Sequence, residues 1–287
     1  MNIHHLNCIS TCPLGGALMD GCSHGLRGRL ACHCLLVETS TTLVLIDTGF
    51  GLNDIAQPRK RLSKFFLALV APEFREDMTA VRQVQRLGFD LRDVRHIVLT
   101  HLDFDHAGGL DDFPHAVVHV LANEVASATA QRTLLDRMRY RPQQWSSSAH
   151  WHTYGPGSSD SWFGFESVRD LCGVPSEILF IPLLGHTLGH AGVAIDQGRR
   201  GWLLQAGDAY FYHAEMDIER PRCTPGLRFY QWMMEKDRAA RLANQERLRE
   251  LKRRHADRVQ VLSSHDVVEF ERAAHRPLST PLMTAYA

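Results

Sequence analysis

Four potential metal ligands stand within six consecutive residues, His101-Leu-Asp103-Phe-Asp105-His106, and this cluster constrains the chain more than any other feature. The β-branched and apolar run from residue 96 to residue 100 precedes it and predicts a short strand. Imidazole and carboxylate groups together suit zinc, iron or manganese. Three small residues follow the cluster directly and allow the backbone to approach metal ions closely. The sequence therefore predicts a metal site on a tight turn after a strand.

Three later segments share one pattern, in which a predicted strand leads through a short connection to a metal-type ligand. The ligands are His186, Asp208 and His265. Each segment alone has an equally good explanation as an ordinary strand end. Taken together at the ends of successive strands, they predict a single site built on rigid elements.

The order of these motifs resembles that of the metallo-β-lactamase superfamily. A strand ends in Asp47-Thr-Gly, and the His101–His106 cluster, a Gly-His186-Thr segment, Gly-Asp208 and His265-Asp follow in that order. The stretches 32–39 and 102–109 look most like the N-acyl-homoserine lactonase group. The resemblance covers about residues 35–266. It implies an α/β (α+β) fold, an αββα sandwich of two mixed β-sheets flanked by helices, as a single domain over residues 1–287.

The resemblance also implies a role for each ligand in a binuclear metal centre. The first metal ion would be held by His101, Asp103 and His186. The second would be held by Asp105, His106 and His265. Asp208 would bridge both ions, and Asp47 would orient ligands without binding metal. The cofactor expected first is a pair of zinc ions, with iron or manganese as the alternatives.

Asp103 is a departure from the family pattern, which usually has histidine at this position. A carboxylate is shorter than an imidazole and removes one positive charge from the metal cluster. A less positive cluster acidifies bound water less and favours manganese or iron(II) over zinc. His101, Asp103 and His186 also form the two-histidine, one-carboxylate set that is common at non-haem iron. The identity of the metal therefore stays open at this point.

The function predicted first is hydrolysis of a small carbonyl substrate, a lactone or ester of the acyl-homoserine lactone kind, by a hydroxide between two metal ions. Asp105 and Asp208 lie beside that hydroxide in this hypothesis, and Asp105 passes a proton to the leaving group. In the lactonase group a tyrosine shortly after the bridging aspartate polarises the substrate carbonyl. Here Phe211 stands at that spacing, so either Tyr210 or Tyr212 takes the role, or both form an aromatic wall.

Two alternative functions use the same scaffold. An iron-dependent, sulfur dioxygenase-like oxidoreductase is suggested by Asp103. A phosphodiesterase is disfavoured by the charge balance, because 32 basic and 32 acidic residues give no net charge. A chain that binds nucleic acid usually carries a basic excess, so we expect a small-molecule substrate and no nucleic-acid partner. No apolar run reaches the length of a membrane span and no leader precedes the first strand, which predicts a cytoplasmic protein without a membrane partner. The sequence leaves the oligomeric state unknown.

The remaining pattern predicts alternating strands and helices. Strands are expected over 30–37, 43–46, 96–100, 117–121, 178–181, 192–195, 202–206 and 259–262. A helix is expected over 78–87, and a second one, capped by Asn123, from residue 124. The charged stretch 228–255 contains neither proline nor glycine and predicts one long helix. The aromatic residues between 145 and 165 suggest either a pocket wall or core, and 155–160 a loop.

Overall fold

The computed structural model describes residues 1–147, 150–155, 161–166 and 168–280. The strands are β1 (Asn2–Asn7), β2 (His33–Glu38), β3 (Leu43–Ile46), β4 (Val94–Val98), β5 (Val117–Leu121), β6 (Trp151–Tyr154), β7 (Arg169–Asp170), β8 (Ile178–Pro182), β9 (Ala191–Asp196), β10 (Trp202–Gln205) and β11 (Val259–Leu262). The helices are α1 (Ala17–Asp20), α2 (Leu52–Ala56), α3 (Pro58–Arg61), α4 (Lys64–Val70), α5 (Ala80–Arg86), α6 (Ala122–Ala130), α7 (Leu134–Arg139), α8 (Pro225–Met234), α9 (Arg238–His255) and α10 (Val267–Ala274).

The strands form two mixed sheets. The first sheet has the order β1-β2-β3-β4-β5-β6, with antiparallel pairs up to β3 and parallel pairs after it. The second sheet has the order β11-β10-β9-β8-β7, in which β10 and β11 run parallel and the other pairs antiparallel. Because β8 and β10 are both antiparallel to β9, the strands β8, β10 and β11 all point in one direction. Their carboxyl ends therefore meet at one edge of the second sheet.

The main core lies between the two sheets. Alternate side chains of β2 and β3, such as Val37 and Ile46, pack against Phe180, Val193 and Ile195 of the second sheet. The intervening side chains of the strands point the other way and are buried as well, because helices cover both outer faces. This double burial explains why the central strands read as continuous apolar runs rather than as alternating ones.

Helices form the two outer layers. Val81 and Val84 of α5 pack on the outer face of the first sheet, beside Ile97. Leu248 and Leu251 of α9 pack on the outer face of the second. The layers follow one another as helix, sheet, sheet and helix, so the predicted αββα sandwich is confirmed. Within the described part of the chain, no helix combines the length and the apolar character needed to cross a membrane.

Most of the predicted strands are confirmed within two or three residues, and β3, β5 and β11 have the predicted bounds. The strand β1 was not predicted, because it is a mostly polar edge strand with two histidines. The predicted cap at Asn123 is wrong, since α6 begins at Ala122 and Leu121 occupies the cap position. Most of the predicted loop 155–160 lies outside the described residues.

The single helix predicted over 228–255 is wrong. The structure has two helices there, α8 and α9, separated by residues 235–237. The backbone amides of Lys236 and Asp237 donate to the carbonyl oxygen of Gly185 at 2.8 and 2.9 Å. The Asp237 side chain accepts from the amide of Ala240 and caps the second helix. A long-range contact, placed directly before His186, therefore interrupts a locally favourable helix.

Candidate metal centre

The predicted ligands converge because each follows a strand at the same edge of the sandwich. The His101–His106 turn follows β4 of the first sheet. His186, Asp208 and His265 follow β8, β10 and β11, whose carboxyl ends share an edge of the second sheet. All seven side chains are buried, with exposed fractions of 7% or less. The structure thus brings together every metal ligand that the sequence predicts.

The first ligand set contains His101, Asp103, His186 and Asp208. Asp103 Oδ2 lies 3.4 Å from His101 Nε2 and 3.1 Å from His186 Nε2. Asp208 Oδ2 lies 3.7 Å from His101 Nε2 and 3.3 Å from His186 Nε2. Ligand atoms around a tetrahedral ion with bonds of about 2.0–2.1 Å are separated by roughly 3.3 Å. The four side chains are therefore spaced as ligands of one ion.

The second ligand set contains Asp105, His106 and His265. The other oxygen of Asp208, Oδ1, lies 3.3 Å from His106 Nε2 and 3.1 Å from His265 Nε2. Asp105 lies at the far side, with Oδ2 3.8 Å from His265 Nε2. Oδ2 lies beside His101 and His186 of the first set and also 3.2 Å from His265 Nε2. The Asp208 carboxylate therefore contacts both sets, as a bridging carboxylate would.

Unpartnered buried atoms show that these residues fit metal ions. His101 Nε2, His106 Nε2 and Asp208 Oδ1 have no hydrogen-bond partner among the residues that the structure describes. Leaving a buried polar atom unpaired costs about 1–3 kcal/mol, so three in one place require an explanation. Imidazole and carboxylate donors directed at common points are the donor set of zinc, iron or manganese.

Neighbouring groups orient the imidazoles for this purpose. His106 Nδ1 donates to Asp47 Oδ2 at 2.8 Å, and His265 Nδ1 donates to the carbonyl oxygen of Ala31 at 2.8 Å. The hydroxyl of Thr100 donates to Asp47 at 2.8 Å and lies 2.9 Å from His101 Nδ1. With each Nδ1 engaged in this way, each Nε2 presents its lone pair to the centre. Asp47 thus lies where the sequence predicted, behind the ligands.

Burial and opposite charges compete at these groups. Burial lowers the pKa of His101 well below its ordinary value, which keeps that imidazole neutral. At Asp208, burial works toward a raised pKa, but the neighbouring His265 and His106 rings outweigh it and hold the pKa well below the usual range. Burial raises the pKa of Asp105. The centre therefore concentrates charge where desolvation is severe, and an added cation would relieve it.

The backbone position of Asp208 depends on the residue before it. Gly207 has φ of +57°, and a Cβ there would lie 2.6 Å from His190 Nε2 and 3.1 Å from Thr100 Cβ. His190 Nε2 accepts from the amide of Asp208 at 2.9 Å, and its Nδ1 donates to the carbonyl of Leu183 at 2.8 Å. Backbone groups thus engage both ring nitrogens of His190, and this ring lies behind Asp208 instead of in either ligand set.

Arg139 is one of two groups at this centre that the sequence did not indicate. Its Nε and Nη2 donate to the two oxygens of Asp103 at 2.7 and 2.5 Å, and Nη2 lies 2.9 Å from His186 Nε2. The guanidinium outweighs burial and holds the pKa of Asp103 well below its usual range. In the sequence, nothing distinguishes Arg139 from Arg137, which lies two residues earlier on α7 and is exposed.

A cavity of about 420 Å³ opens beside the second ligand set. Asp105, His265 and Tyr230 supply polar groups to its wall. The rest of its wall is mainly apolar, including Met19, Leu30, Leu69, Val70, Phe211 and Met233. Two of these residues, Leu69 and Val70, belong to α4. The cavity suits a ligand with a polar head at the ligand sets and an apolar body.

The predicted tyrosines lie elsewhere. The Tyr210 hydroxyl donates to the Glu269 carboxylate, with oxygens at 2.8 and 2.9 Å, and Tyr212 lies against Gly21. Within the described part of the chain, neither lines the cavity. Phe211 lies between them and stacks on His265, with centroids 4.9 Å apart. A substrate contact by Tyr210 or Tyr212 stays a prediction.

Tyr230 is the phenol that does line the cavity. It comes from α8, its ring contacts Phe211 at 5.6 Å between centroids, and burial together with the Asp105 charge raises its pKa. Sequence spacing gave no sign of it, because α8 is about twenty residues beyond Asp208. For the aromatic residues between 145 and 165 the sequence left a pocket wall or core as alternatives, and of the described ones Trp162 and Phe165 lie in the core over the second sheet.

Comparison with known proteins identifies the family. The family model of the metallo-beta-lactamase superfamily matches residues 27–263, and the chain belongs to this superfamily of metallo-hydrolases. A probable metallo-hydrolase of Mycobacterium tuberculosis is 39% identical over 266 residues, which cover 93% of this chain and 80% of that protein. An N-acyl homoserine lactonase of Bacillus thuringiensis is 25% identical over 216 residues, covering 73% and 78%. The resemblance predicted from the motifs is confirmed.

Solved structures share the fold. An N-acyl homoserine lactone hydrolase, with N-hexanoyl-L-homoserine bound at its catalytic metal center, gives a TM-score of 0.70 at 20% identity over 98% of both chains. A dizinc quorum-quenching lactonase gives a TM-score of 0.56 at 17% identity, over 92% of this chain and 84% of its own. The αββα sandwich is therefore common to this chain and these proteins.

Replacement of Asp47 by asparagine tests how the ligands are oriented. In Asp47→Asn, an amide group in place of one carboxylate oxygen disrupts the bonds to His106 and Thr100. We expect zinc affinity to fall about 10–100-fold, the usual cost of losing such a partner. A zinc titration in competition with a chromophoric chelator measures the change. Asp170→Asn, at an exposed carboxylate on β7, is the matched control, and an Asp47→Asn protein with the control's affinity would contradict the expectation.

Proposed function

We propose that this chain is a binuclear metal-dependent hydrolase that opens lactones or esters of small molecules with an apolar chain. One observation carries the proposal: two ligand sets adjoin through Asp208, and Asp105 and His265 of the second set line an apolar cavity. The ligand sets provide a place for the carbonyl group, and the cavity provides a place for the chain attached to it.

Each ligand set would hold one metal ion. His101, Asp103 and His186 would hold one ion, and Asp105, His106 and His265 would hold the other. Bound there, two divalent ions would supply Lewis acidity and lower the pKa of water near neutrality. Asp208 would link the two positions, because its carboxylate contacts histidines of both sets.

Asp105 is the ligand that also faces the cavity. It lies at the edge of the second set, 3.8 Å from His265, and lines the wall where a substrate head would lie. A carboxylate in that place is suited to receive a proton from water and pass it to a leaving oxygen. We therefore assign Asp105 a role in proton transfer as well as in metal binding.

The relatives support the choice of substrate. The B. thuringiensis relative is an N-acyl homoserine lactonase, and a structural neighbour binds N-hexanoyl-L-homoserine at its metal center. Those molecules combine a polar ring or its opened form with an apolar acyl chain. The apolar wall formed by Leu30, Leu69 and Met233 suits such a chain in this protein. The proposal extends to lactones and esters of this general form.

Zinc is the metal that we propose first, with iron or manganese as the alternatives. The carboxylate of Asp103 favours the harder metals, and the first set contains two histidines and one carboxylate besides Asp208. An iron-dependent oxygenase is therefore the second candidate function. Elemental analysis of untreated protein, together with oxygen-uptake assays, separates the two candidates. Iron-free protein that hydrolyses a lactone in the absence of oxygen would exclude the oxygenase.

Removal of the bridging carboxylate tests the proposed hydrolase. We expect chelated protein to lose hydrolysis of acyl lactones and to regain it when zinc or manganese returns. Asp208→Asn should lower kcat/KM by more than the roughly 100-fold expected for loss of a group that only orients a ligand. The assay uses lactones of graded chain length and matched open-chain esters, beside a model phosphodiester. Full activity of Asp208→Asn or of chelated protein would exclude the mechanism, provided that Asp170→Asn behaves as wild type.

Replacement of the cavity phenol tests which tyrosine contacts the substrate. Tyr230→Phe removes a hydrogen-bond donor beside the ligand sets, and we expect kcat to fall roughly 100-fold with unchanged metal content. Tyr212→Phe is the matched control and should stay near wild type. Steady-state kinetics with the best lactone measure both variants. If Tyr212→Phe lost activity and Tyr230→Phe did not, Tyr212 would be the tyrosine that contacts the substrate.

A further inference from the structure

The carboxylate at position 103 stands where the superfamily usually has histidine. The two side chains differ in charge by one unit and, from Cβ to the carboxylate oxygen or to Nε2, in length by one bond. Nevertheless the structure places Asp103 Oδ2 within 3.4 Å of His101 Nε2 and 3.1 Å of His186 Nε2. Some other group must therefore compensate for both differences.

Arg139 is placed to make that compensation. The side chain has an exposed fraction of 0%, and all three guanidinium nitrogens have partners. Nε and Nη2 hold the two oxygens of Asp103, and Nη1 donates to the carbonyl of Met234 at 2.6 Å. A planar guanidinium holds a carboxylate in one orientation through two parallel bonds. Here that orientation places Oδ2 beside His101 and His186 while Nη2 donates to it. The same Nη2 lies 2.9 Å from His186 Nε2, so the guanidinium contacts two side chains of the first set.

The backbone supports the same pairing. Asp103 forms an isolated antiparallel bridge with Tyr140, the residue next to Arg139. The turn containing Asp103 and the end of α7 are therefore joined by main-chain as well as side-chain bonds. An ion pair held at both levels has a fixed geometry rather than a choice of rotamers.

The charge balance completes the argument. Asp103, Asp105 and Asp208 contribute three negative charges, and Arg139 contributes one positive charge, so the sum is −2. With a neutral histidine at 103 and a neutral residue at 139, the two remaining carboxylates would also give −2. The Asp103–Arg139 pair thus leaves the two cation positions with the charge that the histidine pattern provides.

We infer that Asp103 and Arg139 together replace one histidine of the first ligand set, with Arg139 as the positioning residue that makes a carboxylate ligand workable. The inference rests on the proposed metal centre and deepens it, because it names a residue on which the first position depends. It also explains why an arginine lies against a site for cations: its charge is neutralised by Asp103.

A double-mutant cycle on zinc binding tests the inference. The four proteins are wild type, Asp103→His, Arg139→Met and the double variant. In Asp103→His the buried guanidinium loses its carboxylate partner beside the first cation position. If two zinc ions bind with different affinities, we assign the weaker one to this position in the variant, and we expect its affinity to fall about 10–100-fold. In the double variant we expect that affinity to return to within about threefold of wild type, because neighbouring residues are coupled.

Zinc affinity comes from competition with a chromophoric chelator, and ions per chain from elemental analysis, so neither readout depends on activity. Thermal unfolding adds a third readout. Arg139→Met leaves Asp103 without its cation, and we expect saturating zinc to raise the Tm of this variant more than that of wild type. Arg139→Lys keeps the charge and should show a zinc-dependent rise closer to wild type.

The control is Asp103→His combined with Arg137→Met, since Arg137 is exposed on the same helix. This protein should bind zinc as weakly as Asp103→His alone. A double variant as weak as Asp103→His, or unable to fold, would overturn the inference, as would an Asp103→His protein with wild-type affinity. Wild type that takes up no divalent ion would instead overturn the proposed function and the inference with it.

Discussion

The carboxylate of Asp208 is the contact on which the rest of the centre depends. One oxygen lies beside His101 and His186, and the other beside His106 and His265. The sandwich makes this contact available, because β10 lies between β9 and β11 and ends at the edge where the other ligands arrive. Gly207, which precedes Asp208, has a left-handed conformation, and the amide of Asp208 donates a hydrogen bond to the His190 ring. The backbone therefore fixes the direction of the Asp208 side chain.

Burying this group of residues is costly. Seven ionisable side chains lie at one edge with little access to water, and three of their polar atoms have no partner within the described part of the chain. A protein tolerates such an arrangement when the site has a use, since unpaired buried groups lower stability. Asp47, Thr100 and the carbonyl of Ala31 bond to the Nδ1 atoms of His106, His101 and His265. These bonds orient the rings so that each Nε2 can bind a cation.

The sequence predicted which side chains converge at this edge, because those residues are marked locally. His101 to His106 stand together, and the remaining ligands each follow a strand. The supporting residues were not predictable in the same way. Arg139 and Tyr230 come from α7 and α8, roughly twenty to thirty-five residues beyond the preceding ligand, and their own surroundings in the sequence do not indicate a site. The error over residues 228–255 has a similar cause, since the acceptor that interrupts the helix is a carbonyl some fifty residues earlier.

Anomalous scattering from crystals of the protein grown with zinc or manganese tests the central claim most directly. The account predicts two strong peaks per chain, one on each side of the Asp208 carboxylate, with His101 and His186 around the first and His106 and His265 around the second. A single peak away from Asp208, or no peak at this edge of the sandwich in crystals that contain the metal, would contradict it.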